Sequence, residues 1–486
     1  MAIEGLKSYY RENSKSYQVL SEADCEKILG AAFQIAETTG MDIKDEEARE
    51  LLVGAGAKYE DGVVRIPREL IIRCINSAGK EMILYDRNGN EKINAGGTRT
   101  YFGLGPTNPY TNDFETGERR NSRRSDVTNA AIVADGCPNI DFVMGLSQIS
   151  DQNVALSDVY EGYEMMTNTV KPCIVWGIDE KGLDDQVKIA DAIAGGHEKL
   201  KEKPFIALFP GCPDTPLVIN KRISRNIRYC AESGLPMIFM SGIQLGTTSP
   251  VTIAGAVASG MVELFAGIVL SQLVREGTVI ASGFVVLTVD MMTTTSAYGS
   301  PEHCLGEAMC ADLFHYLNLP TMQTGGVTDS KLVDEQAAIE TSMAVLTNIL
   351  SGGHMVHDVG FIDSAMSGSL DQIVMTDEII GYARRMERGV PVNEETLVLD
   401  LINEVGPGGE FLSEDHTLEN FREEFWFPGL INHSVYNEWK KTGKDMRTRV
   451  HEKTADILYH HRAPALSENV MEQIEKIMKD AGERVK

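Results

Sequence analysis

The chain has 486 residues, of which 43% are hydrophobic and 24% charged, and its formal net charge is −26, from 45 basic and 71 acidic side chains. That length supports a large core, and the acidic balance works against non-specific binding to nucleic acid or to an anionic membrane. The first residues contain no apolar segment of the kind that leads a secretory signal, so a cytoplasmic protein is expected. The longest apolar stretch, Ala254–Leu273, is interrupted by Glu263 and Gln272 and reads as a buried helix rather than a membrane span. The eight cysteines are scattered with no CxxC pair, which predicts reduced, mostly buried thiols.

Residues 1–97 read as an α+β extension. Ser21-Glu22-Ala23-Asp24 forms a capping-box pattern that opens a helix ending at Gly40. Asp61-Gly62 marks a tight hairpin, Pro67 opens a second helix, and a second hairpin turns near Asn88-Gly89-Asn90.

Over residues 98–390 short apolar runs alternate with amphipathic segments. The runs are Thr100–Leu104, Asp141–Leu146, Pro172–Gly177, Pro204–Phe209, Pro236–Met240, Val279–Val285, Pro320–Thr324 and His354–Val359. Helical patterns lie near 124–136, 155–168, 183–195, 218–233, 251–275, 301–317, 331–350 and 371–388. Strands that are apolar throughout are buried on both faces, as in a parallel sheet, and their regular alternation with helices predicts an α/β fold, a closed (β/α)8 TIM barrel. A doubly wound sheet competes, but Gly103-Leu104-Gly105-Pro106-Thr107-Asn108 lacks the last glycine of the dinucleotide fingerprint. Residues 391–486 read as a helical segment packed on the barrel, with Glu395–Val405, an aromatic stretch Phe425-Trp426-Phe427-Pro428 and a last helix near Ser467–Ala481.

A barrel carries its chemistry at the strand carboxyl ends. Polar candidates there are Gln148, Asp151, Asp179, Gln244, Asp290, Gln323, Thr324, Asp329, His357 and Asp358. Aspartates 151, 179 and 290 suit either a cationic ligand or a helix cap. His354 and His357 are three apart, and on a strand they face opposite sides, so no shared metal is expected. No GxSxG, P-loop or HExxH motif occurs, which points to chemistry brought by a bound cofactor or partner. The aromatics Tyr101, Phe102, Tyr110, Trp176, Phe209, Phe284, Tyr298 and Phe361 fall near the same face. Several together could cage a quaternary ammonium, and the bland alternative is core packing.

These residues resemble the trimethylamine methyltransferase superfamily. The resemblance is carried by Tyr101-Phe102-Gly103-Leu104-Gly105, Asp113–Arg120, Asn139–Val143, Thr252–Gly255, Glu263–Gly267, Gly325–Lys331, Asp334–Ala337 and His357–Gly360, in that order. It implies a TIM barrel that moves a methyl group from a methylated amine to the cobalt of a cobalamin-type corrinoid carried by a partner protein. Written entirely in standard residues, the sequence resembles the pyrrolysine-lacking branch, which acts on quaternary amines: glycine betaine first, with proline betaine, carnitine and γ-butyrobetaine as alternatives. A tertiary-amine enzyme with a pyrrolysine recorded as lysine, for instance at Lys331, and a non-catalytic betaine-binding barrel are the other readings. The resemblance makes cobalt the nucleophile and leaves the protein to bind substrate, through His357, His354, Gly353, Tyr101, Phe102, Phe209, Phe361, Gln323 and Asp151. His357 and the backbone N–H groups of 352–354 are expected to hold a carboxylate. The aromatic tail leads to a homo-oligomer as the expected state.

Overall fold

A computed structural model describes residues 4–7, 9 and 16–485. Helix α1 (Glu22–Thr38) begins where Ser21 accepts the Asp24 N–H and the Asp24 carboxylate reaches back to the Ser21 backbone, the expected reciprocal cap. Lys58–Glu60 and Val63–Arg65 pair antiparallel across Asp61-Gly62, and Pro67 caps α2 (Arg68–Ser77), where a missing N–H leaves nothing unpaired. Met82–Tyr85 and Glu91–Ala95 form the second hairpin.

The alternating region follows as β1 (Tyr101–Leu104), α3 (Arg124–Gly136), α4 (Ser157–Asn168), β2 (Cys173–Trp176), α5 (Glu180–Ala194), β3 (Ile206–Phe209), α6 (Lys221–Ser233), β4 (Met237–Gln244), α7 (Ile253–Val274), β5 (Ile280–Val289), α8 (Pro301–Leu317), β6 (Met322–Thr324), α9 (Glu335–Ser351), β7 (Met355–Val359) and α10 (Leu370–Glu387). Each of β2, β3, β4 and β6 starts one or two residues after a proline, which cannot donate to a ladder and stops the preceding segment.

The continuous ladders form two sheets rather than one closed eight-stranded ladder. Strands β2, β3, β4 and β5 pair in parallel, with Ser296–Ala297 antiparallel on β5, and β6, β7 and β1 pair in parallel in the second sheet. The expected second strand, Asp141–Leu146, is the element that differs. Only Phe142 and Val143 make single parallel bridges, to Gly103 and Cys173. The reason is local: the Phe102 N–H donates to the Asp141 carboxylate at 2.7 Å, and Arg384 holds that carboxylate at 2.6 Å. A side chain therefore occupies the place of a ladder carbonyl. One further bridge, Ser282–Thr321, lies between β5 and β6.

Helix α7 is long and apolar enough to cross a bilayer, yet 78% of its most apolar window is buried inside the fold. It packs against α1, α2 and β4, so it is a core helix that ties the N-terminal segment to the sheets. One hydrophobic cluster runs from Leu6 to Ala481. A mixed sheet absent from the sequence reading joins Phe361–Ile362, Ser367–Gly368, Tyr110–Asn112 and Arg119–Asn121. Towards the C-terminus the expected helix 395–405 divides at Val398, whose φ is 51°, into Glu394–Leu397 and Leu399–Val405. The last helix, Glu468–Arg484, buries Ile474 and Ala481 and packs on α5.

Candidate active site

The carboxyl ends of the parallel strands open on a cavity of ≈ 520 Å³. Phe209 enters it from the end of β3, Met240 and Gly242 from β4, Val285 and Leu287 from β5, and Thr324 from the end of β6. His357 and Asp358 enter from β7, with Phe361 two residues beyond it; Asn108, Cys212, Thr215 and Tyr298 come from the connecting loops. The lining contains three aromatic rings and one acid, Asp358, and neither lysine nor arginine.

His357 Nδ1 lies 2.5 Å from Asp358 Oδ1, a contact in which the ring N–H donates to the carboxylate. That bond fixes the ring, and its Nε2 faces Met240 Sδ at 3.2 Å and Thr324 Oγ1 at 3.5 Å. Asp358 has φ 75°, a conformation that costs a non-glycine residue about 1 kcal/mol or more. Gly105 makes room for it: a Cβ there would lie 2.2 Å from Asp358 Oδ1 and 2.3 Å from Phe361 Cζ.

Two glutamates hydrogen-bond to residues of the cavity wall, and a third is buried elsewhere in the core. Glu307 of α8 is fully buried and accepts the Thr324 N–H at 2.9 Å, and burial pushes its carboxyl well above the ordinary range. One turn earlier His303 is also fully buried; burial pulls it down to about 4, so the neutral ring donates Nδ1–H to the Val286 carbonyl at 3.2 Å. Glu263 of α7 accepts the Thr215 hydroxyl at 3.1 Å, the Leu217 N–H at 2.7 Å and the Ser241 hydroxyl. Its burial raises its pKa while those three donors oppose the rise. Glu161 of α4 packs against the Cα of Gly145, and burial pushes its carboxyl up to about 8.

Of the nine binding residues named from the sequence, the structure brings His357, Phe209 and Phe361 together at the cavity. Tyr101 and Phe102 belong to β1, with Phe102 fully buried in the core, because the carboxyl end of that strand lies beyond both. His354 stands at the opposite end of its strand, where its Nδ1 accepts the Thr321 N–H at 2.9 Å and its Nε2 meets the Gly97 carbonyl at 3.0 Å. The expected backbone anion site beside it does not form. The N–H groups of Gly352 and Gly353 go to the Asn348 carbonyl and that of His354 to Thr321 Oγ1. Gly353 is a packing glycine, since a Cβ would meet Gln323 Oε1 at 2.0 Å. Gln323 is fully buried and turned towards α8, donating to the Glu307 carbonyl at 2.5 Å. Asp151 accepts the Arg124 N–H at 2.9 Å at the start of α3, Asp179 caps α5, and Asp290 builds a turn with the N–H groups of Met292 and Thr293.

A model of the family described as trimethylamine methyltransferase (MTTB) matches residues 2–483. The chain belongs to that family. Among curated relatives, the trimethylamine methyltransferase MttB of Desulfitobacterium hafniense (strain DSM 10664 / DCB-2) is 30% identical over 468 residues, covering 95% of this chain and 93% of that protein. The glycine betaine methyltransferase of Desulfitobacterium hafniense (strain Y51) is 30% identical over 474 residues, covering 96% and 98%. A crystal structure of the Methanosarcina barkeri monomethylamine methyltransferase (MtmB) aligns over 99% of both chains at 12% identity and a TM-score of 0.48.

For this trimethylamine methyltransferase family member, sequence reasoning missed Met240, Asn108 and Thr215 as lining residues. Met240 was hidden inside an apolar run whose strand continues to Gln244, and Asn108 and Thr215 sit on loops whose path no periodicity reveals. A signal for Thr215 did exist: Glu263 is an acid in the middle of the most apolar helix, and such a group needs donors from elsewhere in the chain.

Proposed function

We propose that this chain moves a methyl group from a quaternary amine, glycine betaine first among candidates, to the Co(I) of a corrinoid carried by a partner protein. The observation that carries this reading is the cavity's chemistry: Phe209, Tyr298, Phe361 and Asp358 around a space without lysine or arginine. Ring faces and a carboxylate attract an N-methylated cation, and no fixed positive charge repels it. Single bridges at Gly103–Phe142, Val143–Cys173 and Ser282–Thr321 run between the two sheets, which supports reading them as parts of a (β/α)8 barrel with this cavity at its mouth.

A quaternary ammonium leaves as a neutral tertiary amine, so displacement at the methyl carbon by an external nucleophile needs no acid on nitrogen. Co(I), brought as a reactant, supplies the electron pair; the N–CH3 bond breaks and the amine keeps its bonding pair. The chain's own task is to hold the cation, align one N–CH3 bond with the opening and exclude water. Cys212 is exposed at the rim of the cavity. Gln244 is held for other work, its amide donating to Ser296 Oγ at 2.7 Å. A betaine carboxylate would lie against His357, and proline betaine, carnitine and γ-butyrobetaine present the same two charges at other spacings.

A second reading, a tertiary-amine enzyme with pyrrolysine at Lys331, draws on the equal 30% identity to a trimethylamine and a glycine betaine methyltransferase. Lys331 is exposed, and its Nζ donates to the Asp329 carbonyl at 2.6 Å outside the cavity lining. The intact mass decides between them: the sequence mass of the standard residues supports the first reading, and the added mass of pyrrolysine the second. Incubation with reduced cobalamin and a panel of quaternary amines tests transfer itself. A chain that binds betaine and never forms methylcobalamin would be the binding protein of the third reading. The exposed apolar tail is assigned to contacts within a homo-oligomer.

A further inference from the structure

Glu263 is absorbed neither by the core nor by the transfer reaction. It is fully buried in the most apolar helix of the chain. Its carboxyl takes three donors, from Thr215, Ser241 and Leu217, and among the described residues no lysine, arginine or histidine pairs with it. In its ionised form the carboxyl is an acceptor only, so both hydroxyls then spend their single proton on it. Thr215 and Ser241 are themselves part of the cavity wall. The proton of Thr215 therefore points away from the cavity, and what its oxygen can offer a ligand is lone-pair density. Burial works against the ionised form of Glu263, and a ligand cation on the other side of the wall would favour it.

We propose that Glu263 is a positioning residue that makes the cavity select a cation over an uncharged molecule of the same shape. It does so by drawing the Thr215 and Ser241 hydroxyl protons onto itself and by leaving its own charge for the ligand to answer. The proposal rests on the reading of the cavity as an N-methyl cation site, but it concerns binding and needs no methyl transfer. A glutamine at 263 keeps the length and shape of the side chain. Its amide N–H2 needs acceptors, so at least one of the two hydroxyls must turn and release its proton towards the cavity, while the charge disappears.

The test compares glycine betaine with 3,3-dimethylbutanoate, which replaces the quaternary nitrogen by carbon, in calorimetric titrations of the full chain. The wild-type chain should bind the betaine at least about tenfold more tightly, and Glu263→Gln should remove most of that preference by weakening the betaine while the carbon analogue changes less than about threefold. Thr215→Val, on a surface loop, supplies a variant that does not disturb the buried helix; it should lower the preference in the same direction, by about threefold. Equal weakening of both ligands by Glu263→Gln would show that Glu263 only holds the wall in shape, and would overturn the proposal. So would a wild-type chain that binds the betaine no better than the carbon analogue, or an unchanged preference in Thr215→Val. Methylcobalamin formation is a separate readout: its absence alongside an intact, Glu263-dependent preference defeats the transfer reading and leaves the selectivity proposal standing.

Discussion

Asp358 carries the one formal negative charge on the cavity surface, and its position depends on a glycine 253 residues earlier in the chain. Gly105 gives up its side-chain volume so that Asp358 and Phe361 can both occupy the mouth. Asp358→Asn keeps the volume and the hydrogen bond to His357 but removes the charge, so it should weaken a quaternary ammonium ligand by about tenfold. His357→Ala should weaken glycine betaine more than tetramethylammonium, which has no carboxylate; equal loss for both would reduce His357 to a support for Asp358. Phe209→Ala should cost about 1–2 kcal/mol of cation binding, read as a rise in Kd of about tenfold. At the same scale, Glu161 makes stability depend on pH. Its folded pKa, about 8, lies above that of an unfolded glutamate, so between the two values the unfolded chain has lost a proton that the folded chain keeps. Stability from this group therefore falls as pH rises through that window, on the order of 1 kcal/mol per pH unit. Thermal denaturation at pH 6 and pH 8 should show a smaller drop for Glu161→Gln than for the wild-type chain.

Among the elements, those stabilised locally were legible in the sequence. The helix at 124–136 and that at 301–317 appear with their expected boundaries, because an acid in the first turn, Asp126, marks the start of one and Pro301 the start of the other, each followed by a helical apolar period. What could not be read depends on distant partners. The run at Asp141 has strand composition, but the Arg384–Asp141 pair, from residues 243 positions apart, diverts its backbone from a ladder. The short strands at 110–112, 119–121, 361–362 and 367–368 are too brief for a period and exist only because they find one another. Site residues followed the same rule. Strand ends were placed well enough to find His357 and Phe209, whereas His354, three residues from His357, lies at the other end of β7. Contacts between elements also set a strict limit at Gly283 of β5, where a Cβ would lie 1.9 Å from the Met322 carbonyl oxygen. That neighbour is backbone and cannot rotate away, so Gly283→Ala should destabilise the fold by about 3 kcal/mol or more in denaturant unfolding.

On the scale of the whole molecule, the core is continuous from Leu6 to Ala481, but the tail between Glu394 and Thr442 forms four helices without a buried residue. Leu412 is 84% exposed and Phe425 64% exposed on that segment. A second copy covering them predicts an assembly larger than the 53.4 kDa monomer in sedimentation, shifted towards monomer by Leu412→Glu with Phe425→Glu. The cavity lined by Phe209, Tyr298, Phe361 and Asp358 is where the proposed transfer would bring a corrinoid-bearing partner to a bound cation. The most direct measurement is the visible absorbance of reduced cobalamin mixed with the full chain and each quaternary amine in turn. Conversion to methylcobalamin with at least one of them, glycine betaine first, is the expected result; no conversion with any of them, by a chain shown to bind the amine, would contradict the assignment.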